Sequence, residues 1–391
     1  MLNKVVLVRR ESFGGTALAK ETGKRFYVDN AEFHQIEQFG VFPQDVQEEV
    51  IGAKVVILHP QNLPLSNFSA PDTVFFEVTR ACNLHCIHCF NDSGLKLSDE
   101  LTNEDRHAIV DQLAKFGVQE IRFTGGEPLA LPGIYNLISD AVSRNLRVSL
   151  GSNGVLISSV IAKRLANLGV NQVIVSLDGN QVEHDAIRGR GSFDKTMKAL
   201  THLKNVGIST RVNCVVMKSN INSIIPLVEN LVNNGESVML RRLIPSGRAS
   251  EDWAEMLDVD DYQTVQSILQ PLHDEFSGKV EGHYLFTKSF KPRVDIPFER
   301  RNCSAGHRGM VVLPNGDVQT CGFLGPLGEK SVGKMPRESI NQIWERLNTS
   351  NHIGAMQQMT SVYNQTTPYP KTNCLAMGLA SGGGLVQIGR R

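Results

Sequence analysis

An α/β fold built around a partial (β/α)6 TIM-type barrel is predicted from three observations. Six short apolar runs alternate with five helical patterns between about residues 73 and 245. Loops rich in Gly, Ser and Asn follow several of the runs. No stretch of about 18 apolar residues occurs, so no membrane span is predicted.

The elements justify this in order. Val5-Val6-Leu7-Val8 and Lys24-Arg25-Phe26-Tyr27-Val28 read as strands, and Phe33, Ile36 and Phe39 fall at helical spacing. Pro60, Pro64 and Pro71 mark a linker, which ends a first unit at residues 1–70. The repeat follows over 71–250. Its runs are Val74–Val78, Glu120–Phe123, Arg147–Leu150, Val173–Ser176, Thr210–Val216 and Val238–Leu240. Helices are predicted near 102–116, 133–144, 157–168, 192–205 and 221–234. The first begins with a variant capping box, Thr102 with Asp105, and shows Ile109, Leu113 and Phe116 on one face. Alternation of this kind implies parallel βα units with right-handed crossovers, and ligands bind at the C-terminal ends of such strands. Residues 251–391 break the rhythm. They offer a helix near 258–275, a hairpin over 308–321 turning at Asn315-Gly316, a short helix near 338–347 and a glycine-rich tail from Ser381 that reads as flexible.

Composition narrows the function. A chain of 391 residues suggests two or three domains, and 41% apolar residues suffice for a large core. Forty basic residues balance forty acidic ones, which argues against a nucleic-acid coat or a polybasic membrane binder. The first ten residues lack the long apolar run of a secretory signal, so the expected compartment is the cytoplasm. There, seven cysteines more often bind metals or do chemistry than staple a fold.

Three of them, Cys82, Cys86 and Cys89, lie just after the first barrel strand, at the catalytic end. Three thiolates on a cubane iron–sulfur cluster leave one iron open to an outside ligand. A zinc knuckle completed by His85 or His88 is the other reading of this string. Loops after the next strands add Thr124-Gly125-Gly126-Glu127-Pro128, Gly151-Ser152-Asn153-Gly154 and Ser176-Leu177-Asp178-Gly179. Alone, each is readable as a turn or a helix cap.

In this order, the CxxxCxxC string and the three loops resemble the radical S-adenosylmethionine (SAM) enzymes. The resemblance implies a [4Fe-4S] cluster on Cys82, Cys86 and Cys89. It implies SAM held by Gly125, Gly126 and Glu127 at its amino group. Ser152, Asn153, Ser176 and Asp178 take its ribose and carboxylate, and His88 stands at a position commonly aromatic and near adenine. Arg188 is a candidate for a carboxylate, as is the Arg241-Arg242 pair. The chemistry implied is one-electron cleavage of SAM to a 5′-deoxyadenosyl radical that abstracts hydrogen. Catalytic acids and bases are not identifiable from one sequence.

Cys303, Cys321 and Cys374 lie beyond the barrel, and Cys321 closes a G-x4-C string from Gly316. This resembles the SPASM or twitch extension of the same superfamily. Seven cysteines would serve two auxiliary clusters and four would serve one. With three available, one auxiliary [4Fe-4S] cluster with an open ligand position is expected. Cys214, between apolar neighbours, reads as a buried thiol.

Such an extension often marks maturases of ribosomally made peptides. The expected partners are a precursor peptide, an electron donor such as flavodoxin or ferredoxin, and a small separate leader-binding protein that completes recognition. Nucleic acid and membrane are not expected. Residues 1–58 loosely resemble a leader-docking region that pairs with a peptide by strand addition, and a plain structural cap is an equal reading. Accessible outcomes are a crosslink, a thioether, or backbone splicing with tyramine excision. The alternatives are a small-molecule radical dehydrogenase and, from another class, a non-catalytic zinc-binding regulator.

Overall fold

A computed structural model describes residues 4–349 apart from 61, 65–67, 252, 277 and 283–303. The first unit contains β1 (Val5–Glu11), β2 (Gly14–Ala19), β3 (Arg25–Asp29), α1 (Asn30–Phe39), α2 (Gln47–Val50) and β4 (Lys54–Leu58). Its sheet order is β3-β2-β1-β4, with β4 parallel to β1 and the other pairs antiparallel. One apolar face, including Val6, Val8, Phe26 and Val28, packs on Phe33 and Ile36 of α1. Asp29 caps that helix in a full capping box with Glu32.

The repeat then runs β5 (Thr73–Thr79), α3 (Asn103–Phe116), β6 (Glu120–Gly125), α4 (Ile134–Ser143), β7 (Arg147–Ser152), α5 (Ser159–Asn167), β8 (Gln172–Ser176), α6 (Gln181–Arg188), α7 (Ser192–Asn205), β9 (Ser209–Val216), α8 (Ile221–Asn233) and β10 (Ser237–Arg242). All neighbouring strands from β5 to β10 pair in parallel. The capping box at Thr102 and Asp105 forms, and Ile109, Leu113 and Phe116 are buried. Alternate strand residues such as Val74, Phe76, Ile121, Phe123, Val148 and Val212 pack outward against the helices. Their neighbours therefore line the inner face of an open sheet.

The repeat does not stop near residue 250. α9 (Val259–Glu275) crosses over and β11 (Val280–Gly282) pairs in parallel with β10, so a boundary at 250 falls inside a βαβ unit. At the other edge β12 (Gly309–Val312) pairs in parallel with β5, and β13 (Asp317–Gln319) and β14 (Gly333–Lys334) extend that edge. The predicted turn at Asn315-Gly316 joins β12 to β13. A side chain at Gly316 would meet the Met335 carbonyl oxygen at 2.1 Å, and its φ of +88° also demands glycine. α10 (Ile340–Thr349) closes the described chain, with Trp344 buried and donating to the Phe68 carbonyl. Cys303, Cys374 and the tail from Ser381 lie outside the described residues.

The first unit sits at the N-terminal ends of the barrel strands. Gln119, just before β6, donates to the Leu7 and Thr16 carbonyls, and Arg147, opening β7, donates to the Lys20 carbonyl at 2.9 Å. Arg9 is fully buried and bridges Glu11 at 2.7 Å and Asp72, just before β5, at 2.9 Å. No helix among the described residues is long and apolar enough to cross a membrane.

Candidate active site at the C-terminal ends of the strands

The cysteine loop leaves β5 at the opposite end of the barrel. It is stitched in place before any cofactor is considered. Glu100 accepts from the Thr79 hydroxyl, the Arg80 and Leu97 backbone N–H groups, and Arg106. The Cys82 N–H donates to the Gly94 carbonyl. On the far side, Arg248 donates to the Cys86 carbonyl at 2.8 Å, to Asp92 at 2.6 Å and to the Ser93 carbonyl at 2.8 Å. Gly247 lies so close that a Cβ there would meet the Phe90 carbonyl oxygen at 2.3 Å.

The loop turns its thiols toward donors. The Leu84 N–H lies 3.5 Å from Cys82 Sγ, the Ser93 N–H 3.4 Å from Cys89 Sγ, and the Arg188 guanidinium 3.8 Å from Cys86 Sγ. Burial pushes the Cys82 thiol up to about 11; the Leu84 N–H opposes this, while Glu127, Cys86 and Cys89 add to it. Cys86 is likewise raised, first by burial, with Cys89 among the contributors. Buried neighbouring thiolates are costly to form, and a cationic metal centre removes that cost. Among the described residues no three or more His, Cys, Asp or Glu side chains converge as a single ion would require. A cubane spreads its ligands over separate irons, and three thiolates leave one iron open.

The GGE loop meets this platform through its backbone. Gly126 N–H donates to the Thr79 carbonyl and Glu127 N–H to the Ala81 carbonyl, at 2.8 and 2.9 Å. A Cβ on Gly125 would lie 2.3 Å from the Thr79 carbonyl oxygen, and one on Gly126 2.2 Å from that of Ala81. The two glycines thus let this loop press on the strand that leads to Cys82. Glu127 is fully buried and accepts from the Ser152 hydroxyl, the Asn153 N–H and the Leu129 N–H. Burial raises its carboxyl to about 7 despite those bonds. It braces Ser152-Asn153 against the glycine loop. Asn153 in turn reaches Asn83 at 2.9 Å, and Cys82 Sγ at 3.9 Å.

Asp178 and Arg188 do something the sequence did not suggest. Asp178 Oδ2 binds His88 Nε2 at 2.9 Å and Arg188 Nε at 2.5 Å, and Oδ1 accepts the Val215 N–H at 2.8 Å. Burial opposes its ionisation, but Arg188 and His88 outweigh that and hold it well below the usual carboxylate range. Asp178, His88 and Arg188, expected as cofactor contacts, form one buried cluster behind Cys86. Arg188 ends α6, a helix of eight residues too short to announce itself by periodicity. Ser176 ends β8 on the inner face, half-buried. The Arg241-Arg242 pair is split by strand alternation. Arg242 packs on Tyr262 with its Nε 3.2 Å from the hydroxyl, while Arg241 takes the inner face. Cys214 is fully buried in the helix-facing core.

Cys321 approaches the same end. The ring of Phe323 lies 4.6 Å from that of Phe90, next to Cys89 in sequence, and a Cβ on Gly322 would be 3.4 Å from Glu77 on the inner face of β5. Glu100 and Arg248 had escaped sequence reasoning. Only Arg248 carried a signal, its place in a loop after a barrel strand.

A family model described as the radical SAM superfamily matches residues 76–231. Mycofactocin maturase MftC of Mycobacterium ulcerans is 31% identical over 260 residues, which cover 65% of this chain and 69% of that protein. The chain belongs to the radical SAM superfamily. The family implies a [4Fe-4S] cluster and SAM binding. Fe-coproporphyrin III synthase of Methanosarcina barkeri is 32% identical over 297 residues, covering 70% of this chain and 73% of that protein. The chain spans 65% of the length of the mycofactocin maturase of Mycolicibacterium smegmatis, with 31% identity. Among solved structures, Streptococcus suis SuiB bound to S-adenosylmethionine superposes with a TM-score of 0.69 at 17% identity, over 99% of this chain and 96% of that one. SuiB bound to precursor peptide SuiA gives 0.67 at 17% identity, over 87% of each chain. These superpositions share the fold, and the one over 99% of this chain takes in the N-terminal unit.

Proposed function

We propose that this chain is a radical SAM maturase that modifies a ribosomally made precursor peptide. The observation that carries the reading is the pairing of two features on one scaffold. One is a donor-lined cysteine platform at the C-terminal ends of the strands. The other is a separate small sheet whose edge strand β3 has a neighbour on one side only among the described residues. An extended peptide adds to such an edge through backbone hydrogen bonds. The likeness to mycofactocin maturases and to SuiB supports a peptide substrate. The likeness to Fe-coproporphyrin III synthase supports a small-molecule substrate as the second reading.

Cys82, Cys86 and Cys89 would hold the SAM-binding cluster. The glycine loop, Ser152, Asn153 and Ser176 would hold SAM. Cys321 would share an auxiliary cluster with Cys303 and Cys374. When bound, the cluster and SAM together supply a carbon radical that abstracts hydrogen. The protein residues do the rest. Glu127 locks two cofactor loops together, and the Asp178–Arg188–His88 cluster backs the Cys86 side of the platform. The open sheet leaves its inner face to the substrate while excluding bulk water from the covered end.

The two features lie at opposite ends of β5, seven residues long. A peptide held on β3 must therefore run roughly 23 Å, or at least about seven extended residues, before its reacting residue reaches the platform. Flavodoxin or ferredoxin would supply electrons, and a small separate protein would complete leader capture.

The test is anaerobic incubation of the reconstituted chain with SAM, reductant and the short peptide encoded beside its gene. Loss of two hydrogens by mass spectrometry marks a crosslink or oxidation, and loss of a tyramine-sized piece marks splicing. Deoxyadenosine should vanish when Cys82, Cys86 or Cys89 is replaced by Ala. An unchanged peptide together with turnover of a small alcohol or acid selects the second reading. Zinc without sulfide in the purified protein would end both.

A further inference from the structure

The inner face of the sheet holds a cation that none of the cofactor contacts uses. On β9, Val212, Cys214 and Val216 pack into the helix-facing core, so Arg211, Asn213 and Val215 face inward. Arg122 on β6 and Arg241 on β10 reach the same face by the same alternation. Arg122 is engaged: its Nε donates to Ser149 at 3.1 Å and its Nη2 to Glu120 at 3.2 Å. The same oxygen of Glu120, Oε1, also accepts from Arg147 and Ser149 at 2.9 and 2.8 Å. Arg211 differs. Its Nε is buried and meets no acceptor among the described residues. Two residues along the same face, Asn213 Oδ1 is buried and meets no donor.

We propose that Arg211 and Asn213 form a subsite inside the barrel that binds a carboxylate of the substrate. A guanidinium edge offers two parallel N–H donors, the geometry that grips a carboxylate in bidentate fashion. The amide oxygen of Asn213 wants a donor close by, and a peptide N–H beside the bound carboxylate supplies one. Leaving a buried cation and a buried acceptor unmatched is costly, and one ligand group satisfies both. Burial, with Arg122 and Arg241 nearby, outweighs the more weakly acting Glu281 and Glu120 and lowers Arg211 to about 9, which leaves it charged at neutral pH. The subsite is not the SAM carboxylate site. Arg211 lies four residues before Val215, whose N–H binds Asp178 beside the cysteine platform, and so roughly 13 Å deeper along the strand. The proposal rests on the peptide-maturase reading and names which peptides fit. The carboxylate is either the chain terminus of the precursor or an Asp or Glu side chain.

The experiment compares wild type with Arg211→Gln and Arg211→Lys as reconstituted full chains. Iron content and deoxyadenosine formation without peptide should stay at wild-type levels in both. With peptide, KM should rise about 10–100-fold in Arg211→Gln, as expected for losing a charge-assisted pair, and recover partly in Arg211→Lys. Amidation of the precursor C-terminus, or Asp/Glu→Asn/Gln in its core, tells the two carboxylate sources apart. Whichever peptide change weakens wild type should cause no further loss in Arg211→Gln. If wild type processes every neutralised peptide as well as the native one, the subsite is wrong while the peptide reading stands. A parallel fall of peptide-free SAM cleavage also overturns it, since Arg211 would then serve SAM. If no peptide is modified, the peptide reading falls, and malonate decides the subsite. It must raise the melting temperature of wild type and not of Arg211→Gln, with chloride at equal ionic strength as control; an equal response in both sinks the proposal.

Discussion

Arg248 donates to the carbonyl oxygen of Cys86 at 2.8 Å, so the loop after β10 grips the cysteine loop after β5. Those two strands are separated by four others in the sheet order. The contact closes the rim of a barrel whose strands do not close.

Arg248→Ala removes three side-chain hydrogen bonds from that loop, worth together on the order of 2 kcal/mol. The expected outcome is a chain that folds but loses iron faster to a chelator after reconstitution. Arg248→Lys, which keeps the charge but not the fork, should fall between. Equal iron retention in all three proteins would show that the loop does not need the strap.

Gly126→Ala forces a methyl to within 2.2 Å of the Ala81 carbonyl oxygen. The glycine loop must withdraw from the strand leading to Cys82, at a cost of about 1–3 kcal/mol. SAM affinity should fall at least about tenfold with little change in far-ultraviolet circular dichroism, by equilibrium dialysis under anaerobic conditions.

Arg9→Ala leaves Glu11 buried without its cation and Asp72 with only the longer contact to Arg25 at 3.6 Å. Breaking a buried ion pair from one side costs about 3–5 kcal/mol. Urea unfolding should show that loss, and limited proteolysis should release the first unit before the barrel.

Glu120 sets an acid limit on the same contact. Burial opposes its ionisation, but Arg147, Arg122 and Arg25 prevail and hold its carboxyl at about 2. A depressed acid contributes stability above its unfolded value near 4.5 and loses it as pH falls toward 2. Denaturant midpoints of wild type should therefore drop between pH 4.5 and 2 more steeply than those of Glu120→Gln, by an integrated difference of roughly 3 kcal/mol.

Cys214→Ala should keep full iron content and deoxyadenosine formation, with a modest stability loss of about 1 kcal/mol from the small cavity. Loss of iron in this variant would show that the seventh cysteine is a ligand.

Much of this molecule was legible as sequence because the signals are local. The spacing of Cys82, Cys86 and Cys89, the Gly125-Gly126-Glu127 run and the apolar alternation of the strands depend on residues a few positions apart. The capping box at Thr102 and Asp105 is equally local. β11 escaped because three residues carry no pattern, and α6 escaped because two turns carry little more. Asp178 and Arg188 were placed at the right end of the barrel, but their pairing was not legible, because a carboxylate and a guanidinium ten residues apart meet only once α6 has formed.

The sequence by itself determined the superfamily chemistry, the strand-and-helix rhythm and the loop that carries the three thiols. Only the tertiary structure decided where the polar side chains went. Gln119, Arg147 and Arg9 look like surface residues until a second sheet covers the strand starts. Arg211 looks like any charge in a strand until alternation turns it inward and leaves its buried Nε without an acceptor among the described residues. The physical reason is one and the same. An apolar residue needs only to leave water, which its own neighbours in the chain can announce. A buried polar group needs a particular partner, and that partner comes from far away in the chain.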